Sequence, residues 1–244
     1  MKTSALLYGI VSYAVFFVAF LYAVGFVGNI IVPKSIDSGE EGTFLTSLLI
    51  NAGLLGAFAV QHSVMARPGF KEWLTRFIHP SVERSTYVLV SSLILLLMYW
   101  YWQPMTSVVW EVTNSTGVLI LQVIFALGWL IVLLSTFMIN HFDLFGLRQV
   151  YLNFKGAPYE HLPFTVKYLY RFARHPIMLG FMIAFWAAPV MTMGHLIFAI
   201  ATTVYMYLAV SMFEEKDLVA IHGESYQDYQ KKVPMFIPFT KKGS

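Results

Sequence analysis

Four short polar stretches interrupt an otherwise apolar chain, and they carry the side chains able to do chemistry. They are Gln61-His62, Asn140-His141-Phe142-Asp143 followed by Arg148-Gln149, Arg171-Phe172-Ala173-Arg174-His175-Pro176, and Glu214-Glu215. Neutral imidazole takes up a proton near neutral pH, so His62 and His141 are candidate bases. Asp143 is able to orient and stabilise the imidazolium that forms. Arg174 offers a planar donor fork suited to a carboxylate. The paired carboxylates suit a ligand or a basic partner. Each stretch also has a plain structural reading. His62, His141 and Asp143 fit helix ends at the headgroups, and Arg171 and Arg174 fit a membrane-flanking basic cluster. Glu214-Glu215 fits such a reading least. At the C-terminus of a helix, the place expected for them here, two carboxylates oppose the helix dipole.

The elements that position these residues follow from composition. The chain has 244 residues, of which 58% are hydrophobic and 12% charged. A soluble domain carries about a quarter charged residues, so lipid is the expected solvent. Runs long enough to cross the hydrocarbon core lie at 4–32, 43–66, 85–103 and 117–139. Shorter runs follow at 176–193 and 195–213, joined by almost nothing. They read as two tight spans in preference to a re-entrant hairpin. The fold class is therefore all-α: a polytopic membrane bundle of about six helices. Residues 1–32 read as a retained first span, too long and uniformly apolar for a cleaved signal.

Sixteen Lys and Arg set the orientation. With both termini cytoplasmic, all of them but Lys34 fall inside, while Asp37, Glu40, Glu41 and Glu111 lie outside. All four polar stretches then sit at cytoplasmic helix ends, and their convergence in depth predicts one site on that face of an inner membrane. Residues 67–84 read as an interfacial helix with Phe70, Trp73, Leu74 and Phe77 on one face. The connector 150–174 is broken by Gly156, Pro158 and Pro163. His222–Pro238 reads as an amphipathic helix lying across the cytoplasmic mouth. The chain is expected to be a single domain, with a four-span bundle over 1–140 and a second half over 141–244. A formal charge of +3 and no cysteines argue against nucleic acid and exclude disulfides, zinc thiolates and a cysteine nucleophile.

Arg174-His175-Pro176-Ile177-Met178-Leu179-Gly180, Trp186, Pro189, Glu214-Glu215, His222-Gly223, Tyr226, Tyr229, Val233-Pro234 and Ile237-Pro238 occur in order. This pattern resembles the C-terminal half of the membrane methyltransferases, which include isoprenylcysteine carboxyl and phospholipid methyltransferases. Gln61–Pro68 and Asn140–Gln149 extend the likeness toward the methanethiol S-methyltransferase family. A membrane family associated with nitrite and nitric-oxide metabolism shares the earlier motif. The resemblance implies a transferase that uses S-adenosylmethionine and releases S-adenosylhomocysteine. It implies cofactor contacts from Arg174, His175, Pro176, Met178, Leu179, Gly180, Glu214 and Glu215, with Tyr226 or Tyr229 over the adenine. It also implies a small thiol acceptor, converted from methanethiol to dimethyl sulfide, with membrane lipid around the chain. His62, His141, Asp143 and Arg148 are then the candidates for handling the thiol proton. Lipid or prenylated acceptors, an NADPH-dependent reductase and a haem-binding protein are the alternatives. Oligomeric state is not legible.

Overall fold

The computed structural model describes residues 2–160, 162–238 and 240. Eleven α-helices run in chain order among these residues: α1 Lys2–Gly28, α2 Phe44–Met65, α3 Pro68–Leu74, α4 Pro80–Tyr101, α5 Ser115–Ile139, α6 His141–Leu144, α7 Leu147–Lys155, α8 Pro176–Trp186, α9 Met193–Ala209, α10 Glu215–His222 and α11 Glu224–Lys232. Two short strands, β1 Val108–Glu111 and β2 Val190–Thr192, pair antiparallel. Five helical stretches among the described residues are long and apolar enough to cross a bilayer: α1, α2, α4, α5 and the continuous stretch Met193–His222. The protein is an integral membrane protein of the all-α class. Because lipid cannot satisfy backbone N–H and C=O groups, helices that close their own hydrogen bonds are the available solution.

The chain forms two compact units, Met1–Thr106 with Asn140–His161, and Ser107–Ile139 with Leu162–Ser244. In the first, α1 packs on α4 and α7, and α2 packs on α4. Thr43 caps α2 by accepting from Thr46 N–H, and Pro80 opens α4 with its preset φ. Of the interfacial helix expected over 67–84, only α3 forms at Pro68–Leu74; a turn that leaves Phe77 exposed follows it, and residues from Pro80 onward belong to α4. Asn140 caps α6 by accepting from Asp143 N–H. Gly146 then turns the chain into α7 at φ 86°, with Ser85 backbone N only 2.7 Å from where a Cβ would sit. The turn therefore requires glycine twice over, by conformation and by space.

In the second unit α5 lies along α8. The crossing is close: a Cβ on Gly180 would come within 2.7 Å of Gly128 O. Helix α8 has 11 residues, about 16 Å, whereas α5 has 25, about 37 Å. Pro189 accounts for the early stop, because its ring disfavours helical backbone at the residue before it. The chain then turns at Ala187 and bends at Pro189 before reaching β2, which pairs with β1 ahead of α5. The expected span over 176–193 is thus a helix only to Trp186, followed by a turn and the three-residue strand β2.

The carbonyls released by the break are satisfied locally. Phe185 O is hydrogen-bonded to His195 Nε2 at 2.9 Å, Ala188 O accepts from Trp110 Nε1 at 3.2 Å, and Pro189 O accepts from Val112 N–H at 2.9 Å.

The helix that begins at Met193 differs from expectation at its far end. It continues through a π-helical turn, Val210–Glu214, into α10 and stops only at His222. Glu214-Glu215 therefore lie inside a helix, and no C-terminal dipole acts on them. Gly223, at φ 58°, breaks the helix and starts α11, the expected amphipathic cap.

Candidate functional site

Glu215 is the centre of the second unit's polar core. The π-helical turn just before it adds one residue to the helix, a distortion that recurs at functional sites. Arg174 grips the carboxylate with two parallel hydrogen bonds, Nε to Oε1 at 2.7 Å and Nη2 to Oε2 at 2.8 Å. His175 Nε2 donates to Oε1 at 2.9 Å, Tyr226 hydroxyl to Oε1 at 3.1 Å, and Gln230 Nε2 to Oε2 at 2.6 Å. Arg174 Nη1 also donates to the carbonyls of Gln230 and Val233, at 3.2 and 2.5 Å. The Arg174 and His175 backbone N–H groups donate to Pro234 O and Met235 O. A buried charge pair is tolerable when its hydrogen-bonding capacity is met; here both carboxylate oxygens are engaged and Arg174 makes four N–H···O contacts. The cluster ties the segment before α8 to α10, α11 and the tail.

Glu214 is arranged differently. Its carboxylate lies 3.5 Å from His175 Nδ1, and its side chain is 45% exposed against 10% for Glu215. His175 thus sits between two carboxylates. Burial pushes its pKa down, but the hydrogen bonds and charges of Glu214 and Glu215 outweigh that and raise it to about 9. The ring is an imidazolium at neutral pH. The unit thereby presents one carboxylate to its surroundings, backed by a fixed cation, with the second sealed behind it.

The other candidates of this unit have structural surroundings. Pro176 opens α8 at its first turn. Met178 and Leu179 complete that first turn, and the close neighbour of Gly180 is α5. Tyr226 and Tyr229 are buried, and Tyr229 hydroxyl donates to Tyr170 O at 2.5 Å. Burial, with the nearby carboxylate charge, holds both phenols well above their usual range.

In the first unit, His141 is 5% exposed and hydrogen-bonded through Nε2 to Tyr13 hydroxyl at 2.7 Å. Phe142 and Phe145 stand edge-on to its ring. Burial pushes the His141 pKa down, which favours the neutral ring. Asp143 and Arg148 form an ion pair at 3.0 Å, and Arg148 also donates to Glu160 O. Tyr159 lies under the Arg148 guanidinium at 5.1 Å. His62 is hydrogen-bonded through Nε2 to Tyr87 hydroxyl at 2.8 Å and lies 3.4 Å from Ser91 Oγ, with Phe58 stacked on its ring. Sequence reasoning passed over Tyr13, Tyr87, Ser91 and Gln230. The first three lie inside apolar runs, where tyrosine and serine read as packing, and only Gln230's place in a polar tail hinted at a role.

The model of the family described as "NnrU protein" matches residues 49–236. A methanethiol S-methyltransferase of Crocosphaera subtropica is 54% identical over 243 residues, covering 100% of this chain and 95% of the relative. One of Mycobacterium tuberculosis is 55% identical over 234 residues, 96% of each. Nurim of Bos taurus is 30% identical over 178 residues, covering 70% of this chain and 68% of the relative. No solved structure matches.

Proposed function

The chain belongs to the NnrU protein family and, within it, to the methanethiol S-methyltransferases, and from that membership we propose that it methylates methanethiol to dimethyl sulfide with S-adenosylmethionine as donor. The observation that carries the reading is identity above one half, over nearly the whole of both chains, with relatives of that name. The half-exposed Glu214 carboxylate, backed by the His175 imidazolium, supports a site for a donor that carries positive charge and ribose hydroxyls.

When bound, the donor supplies an electrophilic methyl group already activated by its sulfonium. Glu214 is the residue to hold a cationic or hydroxyl-bearing part of it. Arg174 supports this site through Glu215, since four of its N–H···O contacts lie within the protein. His175, 3.5 Å away through Nδ1, orients Glu214. Pro176, Met178, Leu179 and Gly180 build the helix that carries the motif, and Tyr226 and Tyr229 hold α11 over Glu215. The acceptor reacts as a thiolate, so a base must take its proton. His62 and His141 are the residues proposed for that step, with Asp143 and Arg148 as neighbours of His141. The site is proposed to face the cytoplasm of an inner membrane.

The test is incubation of purified protein in lipid with methyl-labelled S-adenosylmethionine and methanethiol, with phosphatidylethanolamine and a prenylated cysteine in parallel. Labelled volatile sulfide is the expected product. Label in the lipid or the prenylated cysteine with none in the sulfide would overturn the proposal.

A further inference from the structure

The polar cluster around His62 has a feature that packing leaves unexplained. Gln61 Nε2 donates to Ser91 Oγ at 3.1 Å and approaches Met65 Sδ at 3.0 Å. Gln61 Oε1 is buried and meets no hydrogen-bond donor among the described residues. Turning the amide over does not remove the problem, since the other end is then left bare. An unmet buried amide group is costly, so it calls for a partner such as a water or a ligand. One residue along, the His62 ring is partly exposed, whereas His141 is sealed at 5% behind Tyr13. The Tyr87 hydroxyl and Ser91 Oγ fix the imidazole from the neighbouring helix α4, and the Arg84 guanidinium lies 4.9 Å over the Tyr87 ring.

We propose that Gln61, His62, Tyr87 and Ser91 form the subsite for the acceptor sulfur, with His62 as its base and the bare end of the Gln61 amide as its polar contact. This rests on the thiol-methylation reading and names the residues that would serve it. In the step assigned here the S–H bond breaks, its electron pair stays on sulfur, and the proton passes to a ring nitrogen of His62. The thiolate left behind is the species the sulfonium donor methylates, and the imidazolium returns its proton to solvent afterwards. Tyr87 and Ser91 are positioning residues, which act through the ring and the amide. Met65 and the stacked face of Phe58 are the apolar neighbours of the cluster, as suits a one-carbon thiol.

The test measures kcat and KM for methanethiol in the full-length protein, with S-adenosylhomocysteine affinity as a separate readout. Gln61→Met is expected to raise KM about tenfold while kcat and S-adenosylhomocysteine affinity stay within about twofold. His62→Ala is expected to lower kcat about 100-fold, with partial recovery in added imidazole. Should Gln61→Met fold poorly, Ser91→Ala makes a smaller change and is expected to raise KM about threefold. A KM within twofold of the parent in the folded variants, or turnover by His62→Ala within threefold, would overturn the assignment. A parent protein that binds S-adenosylhomocysteine but yields no methylated thiol would instead sink the reading on which this assignment rests.

Discussion

At the scale of single residues, the two adjacent glutamates have opposite duties, and substitution should separate them. Glu215→Gln leaves the buried Arg174 and His175 without their counter-charge, and such a change costs about 3–5 kcal/mol. The expected result is loss of folded protein on thermal unfolding in detergent. Glu214→Gln removes a half-exposed charge, so unfolding should change little while S-adenosylhomocysteine affinity falls about tenfold or more. Equal behaviour of the two variants in both measurements would contradict the division. His175 adds a pH signature. Its folded pKa of about 9 lies above the free value of 6.5. The stabilisation from its charge is therefore fully present below about pH 6.5 and is lost as pH rises through about 9. Unfolding temperature should decline across that window, and His175→Asn should flatten the decline.

Elements show how far sequence goes and where it stops. The long apolar runs that became α1, α2, α4 and α5 were legible because crossing lipid demands about 20 apolar residues in a helix. The Arg174-His175 and Glu214-Glu215 motifs were legible as residue types, but their partnership was not. Nothing along the chain says that residues 174 and 215 meet, or that the helix from Met193 takes a π-helical turn and continues past them. The break in α8 was half legible: Pro189 marks the stop, but pairing of β1 with β2 depends on contacts 80 residues apart. Tyr13 and Tyr87 could not be told from lipid-facing aromatics until their hydroxyls were found on histidines. The α5–α8 crossing gives a test at this scale. Gly180→Leu forces a side chain against Gly128 O and the Val132 backbone, so it should lower the yield of folded protein. Unchanged unfolding in that variant would mean the helices have room to separate.

For the whole molecule, the absence of cysteine makes orientation directly measurable. Single cysteines at Ser38, between α1 and α2, and at Ser225, in α11, report opposite faces if the basic residues set the topology. An impermeant maleimide should label Ser38→Cys in intact cells and Ser225→Cys only after permeabilisation. The reverse pattern would put the Glu214 site on the outer side. A last consequence concerns inheritance. The Glu215 carboxylate gathers donors from positions 174, 175, 226 and 230. Once one of these is lost, the others no longer contribute what they did, so a second substitution adds far less damage than it would alone. Mutational scans should therefore register the five positions as a single epistatic block, one that drift cannot cross by single viable steps.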